Sequence, residues 1–229
     1  MAVYLDENMM AADPAVIGFP HILLCMGVVC MTDTDLYGIH LTSVANATQA
    51  IPAFGNWLTG THAVAGGAIR ALYGTANLKV RYGTGGDKKA QWKAEMKSIA
   101  TAIGFAGKAY GFDTSIIDPV DGTYAEYHAQ HAAHKCKIFY KRNEKMAFTV
   151  RKGTDPAGLP AIQKVTVGSS TPARVRRDGT VDPAIVVPTT VATVTQAATV
   201  GADVVATTAN KGQLHEVNYG LRLMSVDCP

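Results

Sequence analysis

The sequence predicts a strand-rich α/β (α+β) fold, in which a sandwich or mixed sheet is flanked by two or more helices. Three observations lead to this prediction. Apolar runs of strand length with β-branched residues occur in both halves of the chain, helical periodicity is limited to segments before residue 104, and no internal repeat is visible. The 229 residues are few enough for one core, so a single domain over residues 1–229 is expected.

Composition is typical of a soluble globular protein. Hydrophobic residues make up 48% of the chain and charged residues 17%, unlike a disordered sequence. The net charge of +3 does not predict nucleic-acid binding. No apolar run is long enough to cross a membrane, and Asp6 and Glu7 stand where a secretory signal would be basic. The four cysteines are therefore expected to be free thiols.

A hairpin is predicted near the start of the chain from a change in pattern. Residues Ile22 to Met31 form an apolar run, residues 32–35 are polar, and Leu36 to Ser43 resume an extended pattern. A break of four residues is short enough to join adjacent antiparallel strands.

The next segments give mixed signals. A proline and two glycines among residues 50–60 predict a loop there. Helical spacing of apolar residues predicts a helix over residues 61–73, and a short strand is expected over 78–82.

A second helix is predicted between Asp87, a favourable N-cap residue, and Gly104, a favourable C-terminal stop. Its apolar stripe consists of Trp92, Met96, Ile99, Ala100 and Ile103.

From Cys136 onward the pattern favours strands. They are predicted over Lys137–Tyr140, Met146–Arg151, Ile162–Val167, Ile185–Val187 and Glu216–Val226. Residues Val187 to Asn210 are almost wholly Val, Thr and Ala, and their β-branched content favours strands as well.

The geometry of the first hairpin brings a cysteine and a histidine together. If residues 32–35 form the loop, Gly27 faces His40 and Cys25 faces Thr42. Because side chains alternate along a strand, Cys25, His40 and Thr42 project to one face. The Cα atoms of Cys25 and His40 are then about 7–8 Å apart on a diagonal. An imidazole within reach of a thiol can take its proton, so this pair is a candidate for nucleophilic catalysis. The alternative is a structural role, with Cys25 buried as a small hydrophobic residue and His40 hydrogen-bonded within the sheet.

Two neighbouring features bear on that pair. Cys30 projects to the opposite face, and a bulge or an odd loop length would exchange it with Cys25. Gly27 and Gly38 share the face of Cys25, and their lack of a side chain is expected to leave room for a substrate.

The same hairpin resembles a known family. The stretches Leu24-Cys25-Met26-Gly27-Val28-Val29 and Tyr37-Gly38-Ile39-His40-Leu41-Thr42 resemble the catalytic region of the cytotoxic necrotizing factor family of protein-glutamine deamidases, with its Cys-x14-His spacing. Chemotaxis receptor deamidases share the fold and the pair. The match covers roughly 20 residues of the chain. Leu24 departs from the small residue that usually precedes the nucleophile.

The resemblance implies a cysteine hydrolase that converts a glutamine side chain of a protein substrate to glutamate without a cofactor. His40 would deprotonate Cys25, and backbone N–H groups would stabilise the oxyanion formed when the thiolate attacks. Thr42 is the candidate for a third group that orients His40. Ser43 is also nearby, and a backbone carbonyl in this role would leave no trace in the sequence. A bacterial effector or toxin of this kind would act in the bacterial cytoplasm or, exported without a Sec signal, in the cytosol of a target cell.

A histidine cluster supports a competing hypothesis. His128, His131, His134 and Cys136 follow one another at intervals of three, three and two residues, and imidazole and thiolate bind zinc or copper. The spacing matches no standard zinc pattern, and a histidine-rich turn before a strand also accounts for it. The alternative function is a non-enzymatic interaction module, with or without a metal at this cluster.

Overall fold

The computed structural model describes residues 2–5, 7–116, 122–142, 173–175, 181–182, 215–216 and 223–229. Within these ranges the chain forms two β-sheets and three α-helices, which confirms the predicted α/β class. Two helices pack on one face of an eight-stranded sheet, and a five-stranded sheet packs on its other face.

The eight-stranded sheet forms the middle layer. Its strands are, in spatial order, β11 (Val181–Asp182), β10 (Ala173–Val175), β2 (Met9–Asp13), β5 (Leu36–Leu41), β4 (Met26–Met31), β6 (Ala71–Ala76), β7 (Gly107–Asp113) and β13 (Leu223–Cys228). Neighbouring strands are antiparallel except β6 and β7, which are parallel and joined by a helical crossover.

The outer layers complete the fold. The five-stranded sheet consists of β1 (Ala2–Tyr4), β3 (Val16–Ile22), β8 (Thr123–Gln130), β9 (Lys135–Arg142) and β12 (His215–Glu216). The helices are α1 (Val44–His62), α2 (Leu78–Arg81) and α3 (Lys88–Ile103). The core between helices and sheet contains Phe54 and Trp92, and the core between the sheets contains Phe19 and Tyr127.

The central strands are buried along their whole length. Every residue of β4, β5 and β6 is buried because helices cover one face and the second sheet covers the other. A strand buried on both faces gives a continuous apolar run instead of alternation. This explains the run that predicted the first strand of the hairpin, although its regular part begins at Met26 and not at Ile22.

The helix predicted after Asp87 is confirmed. The Asp87 side chain accepts a hydrogen bond from the N–H of Ala90 at 3.0 Å, and Gly104 ends α3 in the left-handed conformation with a φ of 69°. All five residues of the predicted apolar stripe are buried.

The loop predicted over residues 50–60 is wrong, because these residues lie within α1. Ser43 caps this helix by accepting a hydrogen bond from the N–H of Asn46. A Cβ atom at Gly55 would lie 2.2 Å from the carbonyl oxygen of Ala102 in α3. The glycine therefore permits close contact between two helices and does not form a turn.

The helix predicted over 61–73 and the strand predicted over 78–82 are also wrong. The first segment contains the end of α1, a short 3-10 turn at Gly66–Ala68 and the start of β6. The second contains α2, in which the Asn77 side chain accepts a hydrogen bond from the N–H of Val80. Short apolar runs do not separate buried strands from helices by periodicity alone.

In the second half of the chain, β9 confirms the strand predicted over Lys137–Tyr140. Of the prediction Glu216–Val226, the structure describes Glu216 in β12 and residues from Leu223 in β13. The strands predicted over Met146–Arg151, Ile162–Val167, Ile185–Val187 and 187–210 lie outside the described residues.

Candidate active site

The register of β4 and β5 is the one predicted from the four-residue break. Met31 pairs with Leu36, Gly27 pairs with His40, and the last pair is Met26 with Leu41. Cys25 immediately precedes β4, so one further step along the ladder places it beside Thr42. The diagonal relation between Cys25 and His40 follows from this register.

The two cysteines of the hairpin face opposite layers. Cys30 belongs to the core beneath the helices, whereas the residues of β4 that share the parity of Cys25 belong to the core between the sheets. His40 contacts Phe19 of the second sheet, with ring centroids 5.5 Å apart in an edge-to-face arrangement. Cys25 and His40 therefore lie on the inter-sheet side, at the end of the sheet where β4 begins and β5 ends.

The imidazole of His40 has a defined tautomer. Its Nδ1 lies 2.8 Å from the carbonyl oxygen of Leu5, which only accepts hydrogen bonds, so Nδ1 carries the proton and Nε2 carries the lone pair. Nε2 is buried and has no hydrogen-bond partner among the described residues. Burial lowers the pKa of His40 to about 4, and the Leu5 carbonyl and the nearby His21 backbone oppose this shift in part.

The thiol of Cys25 is buried and hydrogen-bonded. Its Sγ donates to Oε1 of Glu7 at 3.6 Å. Burial, followed by the charge of the Glu7 carboxylate and this hydrogen bond, raises the pKa of Cys25 to about 12, and the charge of Arg81 acts in the opposite direction. With Cys25 2% exposed and His40 1% exposed, both groups are neutral in this closed arrangement.

Glu7 and Asn8 form a turn between β1 and β2, which we call the covering turn. It lies over Cys25 and His40. The N–H of Asn8 donates to the carbonyl oxygen of His40 at 2.7 Å, and the hydroxyl of Thr42 donates to Oδ1 of Asn8 at 3.0 Å. Asn8 has a φ of 60°, a left-handed conformation that asparagine tolerates better than most residues. The covering turn thus contacts both Cys25 and the end of β5.

Thr42 lies beside the pair but has other partners. Besides its bond to Asn8, its hydroxyl oxygen accepts a hydrogen bond from the Asn46 side chain at 2.9 Å. The group that orients His40 in the structure is the Leu5 carbonyl, and not the Thr42 hydroxyl. A backbone carbonyl has no identity in the sequence, so no residue pattern could have indicated it.

A buried ion pair that the sequence did not reveal supports the site. Arg81 and Glu95 form two hydrogen bonds, and their side chains are 0% and 8% exposed. The Arg81 guanidinium also donates to the carbonyl oxygens of Leu24 and Thr42. These carbonyls belong to the residue before Cys25 and the residue after β5, so Arg81 ties the two strand ends together. Tyr82 donates to Glu95 at 2.6 Å and completes the cluster.

The expectation that Gly27 and Gly38 leave space for a substrate is wrong. A Cβ atom at Gly27 would lie 2.6 Å from the Phe19 ring, and one at Gly38 would lie 2.9 Å from Ile17. The space beside both glycines is occupied by side chains of β3 that pack against them. The glycines permit the two sheets to approach each other and do not form a pocket.

The four side chains of the histidine cluster do not converge. Each has its own contact: His128 with Glu126, His131 with the carbonyls of Thr32 and Pro14, His134 with Asp33, and the Cys136 thiol with Met31. In the part of the chain that the structure describes, no three His, Cys, Asp or Glu side chains are placed to hold a metal ion.

A cleft of about 830 Å³ lies at the other end of the sheet. Its lining includes Ala71, which pairs with Met31 at the far end of β4, together with Tyr73, Tyr110 and Lys108. Neither Cys25 nor His40 lines this cleft.

Comparison of the chain with family models, characterised proteins and solved structures found no match. Among the described residues, no helix has both the length and the apolar character needed to cross a membrane.

Proposed function

We propose that this protein is a cysteine-dependent hydrolase that deamidates glutamine side chains of proteins, with Cys25 as nucleophile and His40 as general base. The observation that carries the proposal is the register of β4 with β5, which places the Cys25 thiol and the His40 imidazole diagonally on one face at one end of the sheet. The Leu5 carbonyl holds the proton of His40 on Nδ1, so Nε2 is the nitrogen that can take a proton from a nucleophile. In this closed arrangement the thiol donates to Glu7.

The charge states define the order of events. Since the Cys25 thiol and the His40 imidazole are both neutral at rest, the thiol proton passes to Nε2 as sulfur attacks the carboxamide carbon. The proton then passes to the leaving nitrogen, the C–N bond breaks and ammonia departs. Water attacks the resulting thioester, which releases the glutamate side chain and restores the thiol.

Two exposed apolar side chains beside the site favour a protein substrate. Leu24, which precedes Cys25, is 45% exposed, and Val44, the first residue of α1, is 42% exposed. They are the large hydrophobic residues that the described part of the chain exposes most. In the proposed reaction these two side chains contact the protein substrate.

The same two residues also favour the second candidate, a non-enzymatic interaction module. Such a module would use Leu24 and Val44 for binding and the cysteine only for packing. Catalysis distinguishes the two functions, because binding needs neither a nucleophile nor a base.

The test compares two cysteines of one hairpin. Wild type, Cys25→Ala, Cys30→Ala and His40→Gln are incubated with a disordered protein rich in glutamine, and ammonia release is measured together with a mass gain of about one dalton per converted glutamine. Cys30 is the matched control, since it belongs to the same hairpin but faces the helices. We expect activity in wild type and Cys30→Ala, none in Cys25→Ala, and a loss of about 10²–10⁴-fold in His40→Gln.

Activity that survives in Cys25→Ala contradicts the proposal. If the wild type has no activity on this substrate, nor on any protein that binds to it through Leu24 and Val44, the interaction module is supported.

A further inference from the structure

The covering turn places a glutamate side chain against the proposed nucleophile. Glu7 is exposed to solvent, yet its Oε1 accepts the hydrogen bond of the buried Cys25 thiol at 3.6 Å. Glutamate is the product of glutamine deamidation, so the chain presents the chemical group that the proposed reaction would form.

The backbone around Glu7 is held at the site as well. The Leu5 carbonyl accepts the hydrogen bond of His40 Nδ1, and the Asn8 N–H donates to the His40 carbonyl. Thr42 binds the Asn8 side chain. Main-chain groups on both sides of Glu7 are thus bonded to the end of β5, as those of a bound peptide would be.

We propose that Glu7 occupies the acyl site as a product bound in cis, and that a substrate presents its glutamine where the covering turn presents this side chain. The inference rests on the proposed function and names its substrate class: a glutamine on an exposed turn whose backbone bonds to His40 and whose flank contacts Leu24 and Val44. It also explains why the site is closed, since the product must leave before a substrate enters.

The electrostatics of the pair agree with this assignment. The Glu7 carboxylate favours the protonated thiol through its charge and its hydrogen bond, so its departure both uncovers Cys25 and makes the thiolate easier to form. A neutral carboxamide in the same place would lack that charge.

The substitution Glu7→Gln tests the inference within one molecule, because it converts the bound product into a substrate of nearly the same shape. Cys25 should attack the introduced carboxamide, ammonia should leave, and water should hydrolyse the thioester to restore the glutamate. Peptide mass spectrometry then detects a gain of about one dalton at residue 7. We expect this conversion to be at least about 10²-fold faster than at Gln49 and Gln91, which are exposed in the same chain and report uncatalysed deamidation.

Two double variants serve as controls. Conversion should stop in Glu7→Gln/Cys25→Ala and continue in Glu7→Gln/Cys30→Ala, because Cys30 lies on the opposite face. In addition, Glu7→Ala should increase the rate at which iodoacetamide alkylates Cys25 by at least about tenfold, since burial and the carboxylate both oppose the thiolate. This second measurement decides the matter if Glu7→Gln does not fold.

The outcomes separate this inference from the proposed function. Conversion of the introduced glutamine that depends on Cys25 supports both. If the glutamine stays intact while the disordered substrate releases ammonia, the position of Glu7 is overturned and the deamidase proposal stands. An intact glutamine, no ammonia release and equal alkylation rates in wild type and Glu7→Ala overturn both.

Discussion

Burial lowers the pKa of His40 to about 4, whereas an exposed histidine titrates near 6.5. The Leu5 carbonyl holds the proton on Nδ1, so the neutral ring keeps its lone pair on Nε2 at physiological pH. A group with these properties can act as a base only while it remains uncharged in the resting protein. Its depressed pKa also couples the stability of the fold to pH.

The stability of the wild type should fall as the pH is lowered from about 6.5 to about 4. In this window the unfolded chain binds a proton at residue 40 and the folded chain does not, so protonation favours unfolding. The expected loss in the free energy of unfolding is about 3 kcal/mol, and below about pH 4 both states bind the proton and this contribution stops changing. Urea denaturation at a series of pH values measures it.

The substitution His40→Gln should remove this part of the pH dependence, because glutamine does not titrate. His134→Gln is the control, since His134 lies at an exposed position and its replacement should retain the wild-type slope. An unchanged slope in His40→Gln would show that residue 40 is not buried in its neutral form.

Single residues of the site differ in how far they were predictable. Cys25 and His40 could be paired in advance because strand alternation and a loop of four residues determine which side chains share a face. Glu7 and Leu5 could not be assigned to the site, since they belong to the connection between β1 and β2 and not to the hairpin of β4 and β5. Their contacts depend on how β1 and β2 are placed around β5, which no local pattern encodes.

At the scale of elements, Arg81 connects its own helix, α2, to α3 and to the ends of β4 and β5. It binds Glu95 of α3 and the carbonyls of Leu24 and Thr42. Arg81 and Glu95 are almost fully buried, so water cannot take the place of either partner if that partner is removed.

The substitution Arg81→Leu should lower the free energy of unfolding by about 3–5 kcal/mol, because it removes the counter-ion of the buried Glu95 carboxylate and the hydrogen bonds to two carbonyl groups. Equilibrium denaturation in urea measures the change. Arg70→Leu is the matched control: Arg70 pairs with Asp33 in an ion pair that is exposed on both sides, and its loss should have little effect. Equal effects of the two substitutions would contradict the role given to Arg81.

Prediction at this scale succeeded where the signals were local. The N-cap Asp87, the stripe with Trp92 and the stop at Gly104 defined α3. It failed at Gly55, whose missing side chain serves the contact of α1 with α3 and not a loop. A glycine that permits a turn and a glycine that permits close packing look the same in a sequence.

At the scale of the whole molecule, the two sheets pack directly upon each other at the glycines of the hairpin. Phe19 lies over Gly27, and Ile17 lies over Gly38. This packing closes the inter-sheet face beside His40.

The substitution Gly27→Ala should lower the free energy of unfolding by about 1–3 kcal/mol, because the added methyl group overlaps the Phe19 ring. Thermal or urea denaturation measures the change. Gly60→Ala is the control: residue 60 lies in α1 with open space around it, and alanine should stabilise the helix by about 0.5–1 kcal/mol. A Gly27→Ala protein as stable as the wild type would contradict the close approach of the sheets.

The sequence by itself determined the α/β class, the register of β4 with β5 and the helix after Asp87, because these depend on periodicity and caps within a few residues. Tertiary structure decided what surrounds the thiol and the imidazole: the carboxylate of Glu7, the carbonyl of Leu5 and the guanidinium of Arg81. These groups come from distant parts of the chain and meet only when three layers stack, so packing and not local pattern sets their distances.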